Sequence, residues 1–272
     1  MRIRDALREA AAAGVDRLDA QLLLGHLLGQ PRSWLLAHDD DTLSTSAAAD
    51  WHTLLARRAA GEPLAYVLGE WTFCGLLLQV SPAVLVPRPE TELLVDWALQ
   101  CLAKAPSADV VDLGTGSGAI ALALVSSQPR ARVLAVDTDE GALRVAQANA
   151  RKLGLPLQLA RGHWWGATAG RQFDLAVSNP PYIAPGDPHL ATLGHEPALA
   201  LTALAGGLAA LQHIIAGAPA HLQPGAWLLL EHGHDQADAV QVLLHEQGFE
   251  DIQTRHDLAG LPRCSGGRRP AA

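Results

Sequence analysis

The chain has 272 residues, 49% of them hydrophobic and 18% charged, and it carries a formal net charge of −8. This composition is typical of a globular protein with a large buried core and argues against a disordered chain. With 20 basic against 28 acidic residues, the sequence lacks the basic surface that phosphate backbones require, so we expect no direct nucleic-acid binding. Its apolar runs stop short of the roughly 18 residues of a membrane span, so we expect no membrane association.

Cysteine and histidine usage argues against disulfides and metals. Cys74, Cys101 and Cys264 are far apart and form no CxxC pair, and the first residues show no apolar signal segment. Both features predict a reducing, cytoplasmic location. The tightest histidine cluster, His232-Gly233-His234-Asp235, has neither an HExxH pattern nor a cysteine partner, so no metal site is expected.

Residues 1–69 are predicted to form a small helical domain. Apolar residues at helical spacing predict a helix that ends near Gly14, a second helix that Asp19 caps, and further helices at 33–38 and 46–60. The section contains no convincing strand. It therefore has the pattern of a small helical bundle.

The pattern changes after residue 69. Near-alternate apolar residues over 70–89, including Val84 and Val86, predict a β-hairpin that links two domains. Residues 90–272 then alternate between strands and helices, which predicts a doubly wound, mostly parallel sheet of the α/β class. The predicted strands lie at 110–113, 132–136, 157–159, 173–177, 226–231 and 251–255, and the helices at 93–103, 119–126, 140–153, 207–218 and 235–247.

A glycine-rich turn, Asp112-Leu113-Gly114-Thr115-Gly116-Ser117-Gly118, follows the first strand of this series and precedes a helix. Glycines there allow a sharp turn and close approach of a ligand to helix-start N–H groups. Asp137 ends the next strand, where a carboxylate can accept both ribose hydroxyls of an adenosine. Trp164 follows the third strand and either packs on adenine or belongs to the core. The turn predicts an adenosine-containing cofactor and leaves a nicotinamide cofactor and S-adenosylmethionine both open.

A second motif, Asn179-Pro180-Pro181-Tyr182, follows the fourth strand of the sheet, at the end that faces the ligand crevice. Adjacent prolines donate no hydrogen bonds and hold φ nearly fixed, so their carbonyls are free acceptors. The Asn179 side-chain oxygen and the Pro180 carbonyl can each accept one N–H, while Tyr182 can lie against a planar acceptor. This arrangement predicts methyl transfer from S-adenosylmethionine to a planar amide or amine nitrogen. The alternative is a rigid turn that only ends the strand.

With both motifs located, the chain resembles the release-factor glutamine methyltransferases, bacterial enzymes that modify the Gly-Gly-Gln glutamine of class 1 peptide-chain release factors. The resemblance extends over nearly the whole chain. Beside the two motifs it includes Gly61-Glu62-Pro63-Leu64-Ala65-Tyr66, Pro87-Arg88-Pro89-Glu90-Thr91-Glu92 and Leu230-Glu231-His232-Gly233. The chain departs from the family at His163, where an acidic residue is common, and at His195, which precedes Glu196-Pro197 in place of phenylalanine.

The resemblance implies a domain order and a set of site residues. It implies a helical domain (1–69) that grips a class 1 release factor, a β-hairpin linker (70–89) and a methyltransferase domain (90–272). Contacts to S-adenosylmethionine are implied for Gly114, Thr115, Gly116, Ser117, Gly118, Asp137, Trp164 and Asn179. Asn179, Pro180, Pro181 and Tyr182 are implied to hold the substrate glutamine, with Asn179, Pro180 and Tyr182 as the catalytic residues.

Alternatives to this interpretation remain open at the level of sequence. A related enzyme would methylate a ribosomal-protein glutamine, and another would methylate the exocyclic amine of adenine in nucleic acid, which the acidic balance disfavours. A non-catalytic module that keeps the cofactor pocket is disfavoured by the intact Asn179 and Tyr182. Arg88 and Glu90 either face the cleft or form an interdomain ion pair.

Overall fold

The structure is a computed structural model that describes residues 1–105, 107–168 and 170–271. The chain separates into two compact units, Met1–Glu70 and Trp71–Ala272. Within the described ranges, no helix combines the length and the apolar character needed to cross a membrane. The functional division at residues 69 and 89 stays a prediction.

The first unit is helical, as predicted. Its helices are α1 (Ile3–Ala12), α2 (Arg17–Leu28), α3 (Arg32–Ala37), α4 (Thr45–Ala59) and α5 (Leu64–Leu68). Helix α2 contacts α1, α3, α4 and α5 and so forms the centre of the unit. The fully buried Trp51 of α4 donates from Nε1 to Glu9 at 3.2 Å, which satisfies its polar atom inside the core. The short α5 was not predicted, because five residues are too few for a visible helical period.

The cap of α2 corrects the prediction made from Asp19. Asp16 is the N-cap, and its side chain accepts from Leu18 N at 2.7 Å. Asp19 lies in the first turn instead and pairs with Arg58 at 2.7 Å. The helix ends at Leu28 and is capped by Gly29, whose left-handed backbone (φ 64°) suits glycine.

The predicted hairpin is present but shorter than expected. Strands β1 (Glu70–Phe73) and β2 (Leu76–Gln79) form a two-stranded sheet. Residues 84–86 are not a strand; Val84 and Val86 are buried, and the segment borders the cavity described below. A proline on each side of this segment removes the N–H groups that a third strand would need.

The second unit continues with alternating helices and strands. These are α6 (Glu92–Leu102), β3 (Asp109–Leu113), α7 (Ala119–Ser127), β4 (Arg132–Asp137), α8 (Glu140–Leu153), β5 (Gln158–Arg161), β6 (Phe173–Ser178), α9 (Ala198–Leu201), α10 (Ala209–His221), β7 (Leu222–Glu231), α11 (Ala237–Glu246), β8 (Glu250–His256) and β9 (Pro262–Arg268). Short 3₁₀ helices lie at Pro89–Thr91, Trp164–Ala167 and Pro188–Leu193.

The strands form one sheet in the order β5-β4-β3-β6-β7-β9-β8. The pairs from β5 to β7 are parallel, while β9 runs antiparallel to both β7 and β8. One apolar cluster includes residues of α6 and α7, and a second includes residues of α10 and α11 on the other face of the sheet. The predicted doubly wound, mostly parallel sheet is confirmed, although the antiparallel strand β9 was not predicted.

This strand order fixes where a ligand can bind. The chain leaves β3 toward β4 on one side and returns through β6 on the other side of β3. Helices that diverge to opposite faces leave a crevice beyond the carboxyl ends of strands at such a switch point. The glycine-rich turn after β3, Asp137 at the end of β4 and Asn179 after β6 all border this crevice.

Candidate active site

A cavity of about 770 Å³ opens at the carboxyl ends of β3, β4 and β6. Of the residues predicted from the sequence, its wall includes Gly114, Thr115, Gly116, Ser117, Asp137, Trp164, Asn179 and Pro181. Gly118, Pro180 and Tyr182 lie outside this lining. The two predicted motifs therefore meet in one cavity, although three of the predicted residues do not line it.

The glycine-rich turn needs its glycines for two different reasons. Gly114, Gly116 and Gly118 have φ values of 77°, 55° and 80°, a region that L-residues with side chains disfavour. A Cβ at Gly114 would lie 3.2 Å from the Trp164 ring, on the cavity wall. A Cβ at Gly118 would instead lie 3.2 Å from Ala146 of α8. Glycine at this position therefore permits close packing between helices.

Asp137 holds the shape of the turn. Its Oδ2 accepts from Gly116 N at 2.9 Å, and its Oδ1 accepts from Asp139 N at 2.9 Å. Burial raises the pKa of this carboxyl, and the backbone donors oppose that shift. Each carboxylate oxygen can accept more than one hydrogen bond, so Asp137 can still receive hydroxyl donors from the cavity side.

Asp112 is fully buried beneath the same turn. The Thr115 hydroxyl donates to its Oδ2 at 2.6 Å, while Oδ1 has no hydrogen-bond partner among the described residues. Burial is the main cause that raises the pKa of Asp112 to about 7. A buried carboxyl with one unsatisfied oxygen costs stability when it is charged.

This cost predicts a pH dependence of folding. The pKa of Asp112 rises from 3.8 to about 7 on folding, so the folded chain keeps a proton there that the unfolded chain loses. The contribution of Asp112 to the free energy of unfolding should therefore fall as pH rises from about 4 to about 7 and level off above. Urea unfolding of the cofactor-free protein at several pH values measures it. Asp112→Asn removes this titration, so the free energy of unfolding of the variant should improve relative to that of the wild type as pH rises. If the difference between the two proteins stays constant with pH, the prediction is contradicted.

Trp164 lies in the 3₁₀ helix after β5 with an unusual positive φ of 48°. Its ring is half-buried and faces Gly114 across the cavity wall. The rings of His163 and Trp164 meet edge-on with centroids 5.3 Å apart, and His163 meets His213 at the same distance. Strained backbone of this kind persists where the surroundings hold it. Here the indole lines the cavity and also packs against the apolar cluster that includes residues of α10 and α11.

The acceptor loop begins at Asn179. Its Nδ2 donates to the Thr91 hydroxyl at 3.2 Å, and its Oδ1 receives no hydrogen bond from the described residues. Pro181 lines the cavity, whereas Pro180 is buried behind it. An amide anchored through its nitrogen presents its oxygen as the remaining acceptor.

Tyr182 lies beside this corner rather than on the cavity wall. Its hydroxyl donates to Glu231 Oε1 at 3.2 Å, and its backbone carbonyl accepts from Gln236 Nε2 at 3.0 Å. Glu231 ends β7 and is almost completely buried, and burial raises the pKa of its carboxyl to about 7. Tyr182 is thus anchored to a buried carboxyl, and its stacking on an acceptor stays a prediction.

Sequence reasoning also missed Glu196. This buried carboxylate accepts from Val86 N at 3.1 Å and from the Arg88 guanidinium. Val84, Leu85 and Arg88 line one part of the cavity, and Pro197 next to Glu196 lines another. Glu196 therefore ties two walls together, and the alternative of an interdomain ion pair for Arg88 is wrong because both partners belong to the second unit.

The histidine cluster has a structural role in this chain. His232 is buried; its Nδ1 lies 2.8 Å from Gly233 O and its Nε2 lies 2.8 Å from Ser265 Oγ. Both ring nitrogens are therefore used. In the part of the chain that the structure describes, no group of three His, Cys, Asp or Glu side chains is placed to hold a metal ion.

Comparison with known proteins identifies the family. Residues 2–69 match the model of the PrmC N-terminal domain, and residues 91–196 match that of the methyltransferase small domain. The release factor glutamine methyltransferase of Burkholderia pseudomallei is 50% identical over 268 residues, covering 95% of this chain and 94% of that protein. That of Bordetella pertussis is 48% identical over 260 residues, covering 94% and 96%. The chain belongs to the release factor glutamine methyltransferase family.

Membership of this family confirms several predictions made from the sequence. It confirms a methyltransferase with S-adenosylmethionine as methyl donor and an N-terminal helical domain. A 16S rRNA methyltransferase of T. thermophilus, solved in complex with AdoMet and guanosine, shares the fold with a TM-score of 0.53 and 22% identity. That likeness covers 74% of this chain and 49% of the other, and it concerns the fold alone.

Proposed function

We propose that this enzyme transfers a methyl group from S-adenosylmethionine to the side-chain amide nitrogen of the Gly-Gly-Gln glutamine in a class 1 peptide-chain release factor. The observation that carries the proposal is the meeting of Asn179 with the glycine-rich turn, Asp137 and Trp164 in one cavity. The residues expected to bind the cofactor and the residue expected to bind the acceptor amide are thereby within reach of a single methyl group. The curated relatives named for this reaction support the substrate.

The residues around the cavity fit S-adenosylmethionine. The bare Gly114, where a Cβ would crowd Trp164, leaves room for close approach of a ligand to the turn. In the proposal, residues 114–117 bind through their backbone, Asp137 accepts the ribose hydroxyls and the Trp164 ring packs on adenine. When bound, S-adenosylmethionine supplies an electrophilic methyl group on its sulfonium sulfur. After the transfer, the rest of the cofactor is a neutral thioether and acts as the leaving group.

The protein's part in the chemistry is to hold the acceptor amide. In the proposal, Asn179 Oδ1 accepts one N–H of the glutamine at the cavity wall, and the carbonyl of Pro180, a residue buried behind that wall, accepts the other. These contacts turn the nitrogen lone pair toward the methyl and weaken its conjugation. The same oxygens stabilise the positive charge that grows on nitrogen as the C–N bond forms. Alignment is most of the task, and the nitrogen afterwards releases one proton to water without a strong base.

Recognition of the protein substrate is proposed for the helical unit. Residues 2–69 match a domain model of their own, separate from the methyltransferase model. We infer that this unit binds the body of the release factor, that the Gly-Gly-Gln loop tip enters the cavity, and that the enzyme works in the cytoplasm without binding nucleic acid. With the intact enzyme, a full-length release factor should therefore show a much lower KM than an isolated Gly-Gly-Gln peptide, and equal KM values would contradict this role.

A labelled-methyl assay tests the proposed function. The enzyme is offered a release factor, the same factor with its Gly-Gly-Gln glutamine changed to alanine, a ribosomal-protein mixture, and DNA. Label should enter only the unmodified release factor, and mass spectrometry should place it on the glutamine side chain. Label in the alanine variant, the ribosomal proteins or DNA would overturn the proposal.

Asp137→Ala should mainly weaken cofactor binding. The loss of a charge-assisted acceptor for the ribose costs about 1–3 kcal/mol, or roughly 5- to 150-fold in the cofactor dissociation constant. Isothermal titration with S-adenosylmethionine measures this effect. Asp137→Asn keeps the size of the side chain and an oxygen acceptor, so its dissociation constant should fall between those of the wild type and Asp137→Ala. An unchanged dissociation constant in Asp137→Ala would remove Asp137 from the cofactor site.

A further inference from the structure

We propose that Thr91 and Glu231 are positioning residues that decide which end of the Asn179 amide faces the acceptor glutamine. The inference rests on the proposed function, since the polarity of Asn179 matters only if its oxygen receives the acceptor N–H. Neither residue lies within the motifs that hold cofactor or substrate. Each acts through a hydrogen bond to a member of the acceptor loop.

Thr91 uses its hydroxyl in an unusual way. It is the N-cap residue of α6, a place where threonine normally accepts from an N–H of the first helical turn. Here the side chain makes no capping hydrogen bond; the buried hydroxyl accepts from Asn179 Nδ2 at 3.2 Å instead. Thr91 has helical backbone angles and also ends the 3₁₀ helix Pro89–Thr91, so its hydroxyl serves the acceptor loop rather than a helix cap.

A hydroxyl that accepts one hydrogen bond keeps its own hydrogen for another acceptor. The Glu231 carboxylate is the neighbouring acceptor: the Thr91 and Tyr182 hydroxyls both lower the pKa of this carboxyl against the larger effect of burial. Glu231 Oε2 has no hydrogen-bond partner among the described residues, so it is available to accept the hydrogen of the Thr91 hydroxyl. With its hydrogen directed at Glu231 Oε2, the Thr91 hydroxyl keeps its oxygen as an acceptor for Asn179.

The donor-to-acceptor direction of this row of hydrogen bonds follows from these roles. Thr91 accepts from the Asn179 NH₂ group at 3.2 Å. In the proposal, Glu231 accepts from Thr91 in turn, and the Asn179 oxygen is left for the cavity. With the Thr91 hydrogen directed at Glu231, the opposite orientation would place two acceptor oxygens, Asn179 Oδ1 and Thr91 Oγ1, against each other. It would also present an NH₂ group to the N–H groups of the acceptor glutamine, which is repulsive.

Glu231 is retained at a cost that packing alone does not explain. The carboxylate is almost fully buried and makes no ion pair among the described residues; the nearby Arg263 pairs with Asp257 at 3.2 Å. Burial of a charge without a paired cation is unfavourable. The same carboxylate binds Tyr182 through Oε1, so one buried group holds both ends of the Asn179–Tyr182 corner.

Thr91→Val tests the inference because valine keeps the shape of threonine and removes the hydroxyl. We expect kcat at saturating cofactor and release factor to fall about 10- to 100-fold, as for loss of a group that orients a reacting partner. The dissociation constant of S-adenosylmethionine should change by less than about threefold. Thr91→Ser restores the hydroxyl and should recover most of kcat. Glu231→Gln, whose amide can donate to the Thr91 oxygen and displace Asn179, should lower kcat despite its similar size.

A readout independent of turnover separates this inference from the proposed function. In ¹⁵N–¹H spectra, the side-chain NH₂ signals of Asn179, assigned by their loss in Asn179→Ala, should lose a downfield shift in Thr91→Val and keep it in Thr91→Ser. If the wild type methylates no release factor, the proposed function fails while the spectra still report the amide orientation. If the wild type is active and Thr91→Val keeps both its kcat and the Asn179 signals, the positioning role is overturned.

Discussion

Asn179→Ala is expected to lower turnover by about 10²- to 10³-fold, the loss typical when one aimed hydrogen-bonding group is removed from a developing charge. Asn179 Nδ2 is committed to Thr91, so its oxygen is the side-chain acceptor that this loop offers to the cavity. Without it, the acceptor amide keeps only the Pro180 carbonyl as a partner. Its lone pair is then no longer turned toward the methyl group.

Single-turnover kinetics and cofactor titration on the same preparations measure this effect. Because Asn179 also borders the cofactor, S-adenosylmethionine binding should weaken slightly, by far less than turnover falls. Thermal unfolding serves as the control for folding, since a half-buried side chain with one hydrogen bond contributes only about 1 kcal/mol. Turnover within threefold of the wild type would contradict the proposed role of the acceptor loop.

The cavity could be predicted from sequence because its parts stand at strand ends. The glycine-rich turn, Asp137 and Asn179 each follow an apolar strand of a β–α series. In parallel sheets the carboxyl ends of such strands meet at one edge. Chain order alone therefore placed these residues together, without any knowledge of their contacts.

The supporting groups could not be found in this way because their partners are far apart in sequence. Asn179 and Thr91 are separated by 88 positions, Tyr182 and Glu231 by 49, and Arg88 and Glu196 by 108. Local periodicity carries no information on such pairs. One signal was present: Glu231 follows an apolar run at the end of a strand, where a buried carboxylate requires a reason.

Strand β9 escaped prediction because its residues lack the usual features of a strand. The segment Pro262–Arg268 contains Gly266 and Gly267, which have low β-propensity. The structure shows why glycine is needed at Gly266: a Cβ there would lie 2.6 Å from Leu229 and 3.1 Å from Trp97. Because β9 packs closely against β7 and α6, it has no room at this position for the larger side chains that are typical of a strand.

Gly207→Ala should damage both stability and turnover, since this glycine packs against the acceptor loop. Gly207 has φ of 88°, and an added Cβ would lie 2.1 Å from the Tyr182 carbonyl oxygen and 2.7 Å from Gln236 Nε2. The methyl group would thus occupy the place of the hydrogen bond from Gln236 to Tyr182 O. The backbone conformation and the overlap together should cost about 2–4 kcal/mol in unfolding free energy. Displacement of Tyr182 should also lower kcat at least tenfold.

Gly206→Ala provides a matched control beside it. Gly206 also has a positive φ, 65°, but an added Cβ would meet nothing within 4 Å. This variant should lose only the conformational part, about 1 kcal/mol, and keep most of its turnover. Urea unfolding and kcat measured on both variants separate backbone strain from the overlap with Tyr182. Both variants carry the backbone strain, but only Gly207→Ala places a methyl group against Tyr182. Equal losses in the two variants would show that the Tyr182 carbonyl tolerates displacement and that the acceptor corner does not depend on its packing against Gly207.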